Sequence, residues 1–306
     1  MILLGGIPSE RPLVLVKEAI ESLGLPYRLF NQRQTDGCAI AFHIDEDGVG
    51  GSIHLHGEAF DLRDITAVYL RLMDDRFLPE LEGEPANSPK RLHTRGFHDT
   101  LYRWIEVAEA RVVNRSDPQG SNASKPYQAQ LISSYGLRVP ETLVTNDPGE
   151  VLAFQRAHHS IVYKSMSGVR SIVKTLDGED MARLADIGWC PVQFQAFVPG
   201  NDVRVHVIGN DTFATEIVSD VTDYRYARQL GGSATLRATE LSADLAARCV
   251  ALAAGLGLGF AGVDLRVADD GSATCFEVNP SPAFSYYESN TGQPIALCLA
   301  RYLAQV

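Results

Sequence analysis

Asp264, Glu277 and Asn279 are the residues of this chain whose types and spacing most directly suggest chemistry. They lie in two β-patterned runs, Gly262-Val263-Asp264-Leu265-Arg266 and Thr274-Cys275-Phe276-Glu277-Val278-Asn279, on either side of Ala268-Asp269-Asp270-Gly271-Ser272-Ala273. Asp-Gly between such runs is a strong hairpin signal. A two-residue turn at Asp270-Gly271 makes Arg266 face Cys275, Asp264 face Glu277 and Gly262 face Asn279, and a four-residue loop from Asp269 to Ser272 gives the same pairing. Alternation then places Asp264, Glu277 and Asn279 on one face, with Val263, Leu265, Val267, Phe276 and Val278 on the other. Carboxylates directly opposite each other on a ladder repel unless a cation sits between them. Two carboxylates and an amide oxygen form a hard, all-oxygen set suited to Mg²⁺ and poorly suited to Zn²⁺. Magnesium keeps waters and borrows ligands from substrate phosphates, so the hairpin points to a metal–nucleotide site. The competing reading is an edge hairpin with solvated acids, and a one-residue slip in register would dissolve the site.

Further candidates lie in the middle of the chain. Lys164 ends a strand-like run and precedes Ser165-Met166-Ser167-Gly168. A loop of small residues there can close over phosphates with backbone N–H groups, Gly168 allowing the close approach. Asp202, Arg204 and His206 share one strand face, opposite Val203, Val205 and Val207; such a polar face either lines a site or is solvated, and the solvated reading is preferred on these residues alone. His206 and the pair His158-His159 show no metal-ligand spacing and are read as structural or solvated.

The elements that must position these groups read as mixed α/β without an internal repeat. Ile2–Leu4 is a strand, Leu13–Leu23 a helix, Tyr27–Phe30 a second strand, and a later strand over Ala67–Leu72 carries Arg71 at its end. This βαβ opening resembles a small open α/β domain with its sites at the carboxyl ends of the strands. Gly5-Gly6 is read as a tight turn in preference to a phosphate loop. Leu78–Pro89 is read as a loop, Phe97–Ala110 as a helix, Arg111–Asn114 as the strand leaving the first domain, and Asp117–Ser124 as a linker. Ser124 is placed as the cap of a helix beginning Lys125-Pro126 and ending near Gly136.

Composition limits the function. The chain has 306 residues, 45% of them hydrophobic, enough for two or three lobes with real cores. No run of about 18 apolar residues could span a membrane, and the start lacks the features of a signal peptide. Five cysteines without CxxC or zinc spacing suggest a reduced, cytoplasmic setting. A net charge of −11 with no basic stripe argues against a nucleic-acid partner.

In order and spacing these motifs resemble the ATP-grasp superfamily, in particular its RimK-like carboxylate–amine ligases and, among those, the ligases that modify ribosomal peptides. The resemblance runs from about Asn114 to the C-terminus. It rests on Ser124-Lys125-Pro126-Tyr127 at the head of a helix and a G-x-x-x-P-x-T segment from Gly136 to Thr142. Lys164 before the loop Ser165–Arg170, a hinge at Gln195-Ala196-Phe197-Val198, and the D-x-R element Asp202-Val203-Arg204 follow. Arg225, Gly231-Gly232 and the terminal hairpin complete the series. Departures are Ala196, where the hinge usually has Glu, Arg225-Tyr226-Ala227 for Arg-x-Asn, and Pro282-Ala283 for Pro-Gly.

The resemblance implies an ATP-grasp fold preceded by an open α/β domain, divided as 1–113 (N-terminal domain), 114–190 (central lobe) and 191–306 (C-terminal lobe with the metal hairpin). It implies ATP and one or two Mg²⁺ ions, with Mn²⁺ as a substitute. Lys125, Lys164, Ser167, Gly168, Gln195, Ala196, Phe197, Val198 and Asp202 would bind the nucleotide, and Arg204 and Arg225 would stabilise the transferring group. Asp264, Glu277 and Asn279 would hold the metal, and Arg266 ranks second at that face, with Asp264 or Asp202 as its partner. The implied reaction is ligation of a carboxylate to an amine, or to a hydroxyl, through an acyl phosphate on an amino acid, peptide or peptide side chain, with a small-molecule or peptide substrate. A small-molecule kinase and a non-catalytic ATP-binding protein are the alternatives, and a homodimer stays open. Arg71 and Arg76, near strand-end loops, are candidates for binding a substrate carboxylate.

Overall fold

The central strand of the first sheet, β1 (Ile2–Gly6), is buried along its whole length. It is followed by α1 (Arg11–Ser22), β2 (Tyr27–Asn31), β3 (Ala39–Asp45), β4 (Gly48–Leu55), β5 (Glu58–Asp61), β6 (Ala67–Arg71), α2 (Pro89–Val107) and β7 (Arg111–Val113). These ranges come from a computed structural model, which describes residues 1–165, 173–219 and 233–305. Strands β2-β1-β6-β7 form a parallel sheet, as the βαβ opening predicts, and β3-β4-β5 form a separate antiparallel sheet that the sequence reading did not anticipate. Gly5 and Gly6 belong to β1 and make no turn. A Cβ on Gly5 would lie 2.6 Å from Leu70 Cδ2, and one on Gly6 2.9 Å from the Arg71 carbonyl oxygen, so the pair lets β6 pack closely. Helix α2 starts at Pro89, eight residues before the expected start, because the Ser88 hydroxyl accepts from Arg91 N–H and Pro89 stands in the first turn.

The rest of the chain runs α3 (Ser116–Gln119), α4 (Lys125–Ser134), β8 (Thr142–Thr145), α5 (Pro148–His158), β9 (Ile161–Ser165), β10 (Lys174–Thr175), α6 (Gly178–Ala182), β11 (Val192–Ala196) and β12 (Asn201–Ile208). It continues with β13 (Asp211–Ser219), β14 (Ala234–Thr239), α7 (Ala243–Gly255), β15 (Phe260–Val267), β16 (Ala273–Asn279), α8 (Ser285–Thr291) and α9 (Ile295–Ala304). Two antiparallel sheets result, β10-β9-β11-β8 and β14-β13-β12-β15-β16. Ser124 does precede α4, but its side chain makes no capping bond.

One face of the five-stranded sheet, carrying Val203, Val205, Val207, Val263, Leu265, Cys275 and Val278, is closed by Ile132 of α4 and by Leu245, Cys249 and Leu252 of α7. Helix α9 packs back on α1, so Leu13, Val16 and Ile20 share a core with Phe260, Phe284, Leu299 and Leu303. Burying a Leu, Val, Ile or Phe side chain contributes about 1.5–3 kcal/mol, so this second core ties the first sheet firmly to the C-terminal segment.

Candidate active site

The β15–β16 hairpin has the expected register where it matters, reached by an unexpected route. Asp264 pairs with Glu277 and Gly262 with Asn279, yet Arg266 pairs with Thr274. The turn is a three-residue loop, Asp269–Gly271, closed by Ala268 N–H to Ser272 O at 2.9 Å and by Gly271 N–H to Ala268 O at 2.9 Å. Gly271 takes the left-handed position that such loops require, at φ 80°. That loop shifts the register by one residue relative to either expected turn, and a β-bulge at Phe276 shifts it back. The bulge also corrects the faces. Cys275 is fully buried in the core, whereas Phe276, expected there, lies 5.6 Å from the Arg266 guanidinium on the polar side.

Beside this hairpin, β12 and β15 carry the same D-x-R pattern in opposite directions. Asp202 stands opposite Arg266, and Arg204 opposite Asp264. Arg266 donates to Asp202 Oδ1 from Nε at 2.9 Å and contacts it from Nη2 at 2.7 Å, and it also donates to the Val198 carbonyl at 3.0 Å. An Arg204 Nη1–H donates to Asp264 Oδ1. The polar face of β12 is therefore not solvated: Arg204 is only 7% exposed and His206 fully buried. On the next rung, His206 faces Gly262. A Cβ on Gly262 would sit 3.0 Å from both Cζ and Nε of Arg204, so glycine is what allows the guanidinium to lie there.

Lys125 reaches the same face from α4. Its Nζ lies 2.9 Å from Glu277 Oε2 and donates to Asn122 Oδ1 at 2.7 Å. The helix is held in place by Gln128, three residues on and so on the same side. Gln128 is 1% exposed; its Nε2 donates to the Val278 carbonyl at 2.8 Å and its Oε1 accepts from Val278 N–H at 3.0 Å. This side chain thus pairs with the outer edge of β16 as a strand would. Asn114 performs a similar service at the root of the hairpin. It accepts from Gly259 N–H at 2.8 Å and Phe260 N–H at 3.2 Å, and donates to the Phe260 and Pro280 carbonyls at 2.6 Å each.

Burial pushes the Glu277 carboxyl up, but the charges of Lys125, Lys164 and Arg204 outweigh it and hold the group below the usual carboxylate range. Lys164 comes from β9, where it pairs across to Gln193 in the other antiparallel sheet. Cations from α4, β9 and β12 thus act on one carboxylate. Asn279 Oδ1 accepts from Ser281 N–H at 2.9 Å, which orients the amide oxygen. The donor set fits a hard divalent cation: two carboxylates on adjacent strands and an oriented amide oxygen one rung away, all oxygens.

At the hinge, Ala196 N–H donates to the Glu141 carbonyl and Phe197 N–H to the Ser160 carbonyl, both at 3.0 Å. The Gln195 side chain is buried and donates to Thr142 Oγ1 at 3.1 Å. Phe197 is half-exposed, 5.7 Å from the Arg266 guanidinium. Arg71 is built into the frame: it pairs with Glu10 at 2.7 Å, and its Nη1 donates to Ser281 Oγ and the Pro282 carbonyl at 3.2 Å. Arg76 is exposed and pairs with its neighbour Asp74 at 2.6 Å. Ser167, Gly168, Arg225 and Gly231-Gly232, with the loop from Met166 to Arg170, lie outside the described residues. A groove of about 790 Å³ between the β12–β13 turn and α9 contains none of these groups.

A family model for the RimK-like ATP-grasp domain matches residues 128–303, well over half of the chain. The chain belongs to the RimK-like ATP-grasp family. The solved ATP-grasp ligase PsnB, complexed with a minimal precursor, superposes on this RimK-like ligase with a TM-score of 0.80 at 26% identity, over 99% of this chain and 98% of that one. Among curated relatives, a probable alpha-L-glutamate ligase of Xylella fastidiosa is 24% identical over 276 residues, 82% of this chain and 88% of the relative. N-acetylaspartylglutamate synthase A of Mus musculus is 27% identical over 223 residues, and the aligned part spans 56% of that relative. The expected fold, mixed α/β of ATP-grasp type, is therefore the fold of this chain.

Proposed function

We propose that this RimK-like ATP-grasp protein joins a carboxylate to an amine at the expense of ATP, on an amino acid or peptide, with the phosphoryl transfer centred on Arg204, Asp264, Glu277 and Asn279. The observation that carries this reading is the convergence of Lys125, Lys164 and Arg204 on the paired carboxylates of the hairpin. Such a set is over-supplied with cations for two acids alone and suits a site that receives polyphosphate and metal together.

In this reading Lys125 and Lys164 bind the phosphates of ATP, and Arg204, with Arg225, neutralises charge on the transferring group. Asp264, Glu277 and Asn279 hold one or two Mg²⁺, with Mn²⁺ able to substitute. The metal, when bound, supplies charge compensation across the phosphate oxygens. Ser167 and Gly168, as the resemblance implies, contribute to binding the nucleotide. The hinge Gln195–Val198 takes adenine through backbone groups other than the N–H groups of Ala196 and Phe197 and the Val198 carbonyl, which are committed within the protein. Asp202 acts on the site by fixing Arg266 between Phe197 and Phe276. Two lobes, one built on β10-β9-β11-β8 and the other on β14-β13-β12-β15-β16, close on the nucleotide; β11 belongs to the first sheet and α4 packs on the second, so the expected boundary at 190/191 does not divide them.

The substrate carboxylate oxygen attacks the γ-phosphorus, the bond to the bridging oxygen breaks and ADP leaves. An amine nitrogen then attacks the acyl carbon, expelling phosphate and losing a proton. The protein aligns the partners and compensates charge, with no nucleophile of its own. PsnB has been solved with its minimal precursor, Mg and ADP, and this supports both a peptide substrate and Mg·ATP here. The test is ADP release with L-glutamate and candidate acids in the presence of hydroxylamine. A hydroxamate with stoichiometric ADP is expected, whereas a stable phosphorylated product would make the protein a kinase and overturn the reading.

A further inference from the structure

We propose that Tyr287 is a positioning residue for phosphoryl transfer: its ring, backed by His206, fixes the Arg204 guanidinium against Asp264. The inference rests on the role given to Arg204 above.

Arg204 is too buried for water to hold its head group, so its orientation must come from its walls. Asp264 takes the tip and the Cβ-less Gly262 leaves room along one side. The Tyr287 ring supplies another wall, its centroid 5.6 Å from Cζ. A planar, weakly hydrated guanidinium stacks on an aromatic face, a contact that strengthens when desolvated.

Tyr287 is itself fixed from behind. The His206 ring meets it at 4.9 Å and 66°, Phe260 lies 6.2 Å from His206, and Phe284 lies 5.7 Å from Phe260. This row of rings joins the core shared by α1 and α9 to Arg204. Phe284 and Tyr287 follow the metal hairpin directly, so the segment that carries Asn279 also carries the buttress. Among the described residues, neither ring nitrogen of His206 has a hydrogen-bond partner. A buried imidazole in that state is a cost to the fold, which points to a role beyond filling space. Burial and the nearby Arg204 charge keep the ring neutral, so it stands behind Tyr287 without adding a competing cation.

The test uses the full chain and titration calorimetry with Mg²⁺ and two nucleotides, ADP and AMP-PNP. The readout is the preference for AMP-PNP, which isolates contacts to the γ-phosphoryl. Tyr287→Phe should keep the preference within about twofold and Tyr287→Leu should lower it about tenfold, with ADP affinity held within about twofold in both. In an Arg204→Lys background, which itself loses the preference, Tyr287→Leu should add no further loss. A Tyr287→Leu protein with wild-type preference, equal weakening of both nucleotides, or a loss that adds in full to Arg204→Lys overturns the positioning role and leaves Arg204 in place. A wild type without the preference, or an Arg204→Lys protein that retains it, overturns the Arg204 assignment and the positioning role with it. Thermal melts accompany each variant. Should Tyr287→Leu not fold, Tyr287→Met, unbranched and more adaptable in packing, carries the same comparison.

Discussion

Gln128→Met should destabilise the protein far more than its conservative shape suggests. The two side chains are similar in size, so the change isolates hydrogen bonding from packing. In the structure Gln128 is 1% exposed and satisfies both backbone groups of Val278, at 2.8 and 3.0 Å. Methionine would leave that N–H and C=O without partners, and burial denies them water. Each orphaned buried group costs roughly 1–3 kcal/mol, so the pair amounts to about 2–6 kcal/mol. At roughly 2 °C per kcal/mol for a large domain, melting should fall by about 4–12 °C. Gln128→Glu should be at least as damaging, because one carboxylate oxygen would face the Val278 carbonyl. The assay is thermal unfolding of the nucleotide-free chain at constant pH and salt. Since Lys125 sits on the same helix face, Mg·ADP affinity should weaken as well. A Gln128→Met protein that melts within about 1 °C of wild type would refute the claim that this side chain closes the edge of β16.

Three further outcomes follow from the same geometry. Gly262→Ala should lower stability by about 1–3 kcal/mol and impair turnover, because the new methyl would press on Arg204 and on Pro282 Cβ at 2.8 Å; denaturant titration with steady-state kinetics checks it. Arg71→Met should lower the melting temperature, since Arg71 joins Glu10 to Ser281 and Pro282, whereas a raised substrate KM at unchanged melting would restore it as a substrate ligand. His206 and His98 are held below their usual pKa by burial, His206 further by Arg204. Both take up protons less readily in the folded chain than in the unfolded one, which is protonated below about pH 6.5, so stability falls as pH drops below that value, by at most about 1.4 kcal/mol per pH unit for each histidine. Denaturant titrations at pH 7.5, 6.5 and 5.5 should show this loss, and His206→Phe should reduce its slope; an unchanged slope would contradict the burial argument.

Much of the site could be read from the sequence because it is local. The Asp-Gly turn and strand alternation bring Asp264 and Glu277 together, even though a three-residue loop and a bulge had to cancel for the register to hold. Lys125 in the first turn of a helix, with Pro126 after it, was likewise legible. The partners of the site were not. Asn114 and Gln128 bind backbone groups about 150 residues away, and no local pattern marks a polar side chain that completes a distant strand. The buried face of β12 was misread because its charges are cancelled by the matching D-x-R of β15, a pairing visible only once the strands are adjacent. The β3-β4-β5 sheet did leave a signal in His56-Gly57. Both residues have positive φ, 51° and 91°, and form the two-residue turn between Leu55 and Glu58.

A metal–nucleotide site on the β15–β16 hairpin is tested by calorimetric titration of ATP, with and without Mg²⁺, into wild type and the Glu277→Gln/Asn279→Ala variant. Micromolar binding that requires Mg²⁺ and is lost in the variant is the predicted result. Binding that ignores Mg²⁺ or survives both substitutions would contradict a metal–nucleotide site at this hairpin, and no binding to wild type would remove the nucleotide from the account altogether.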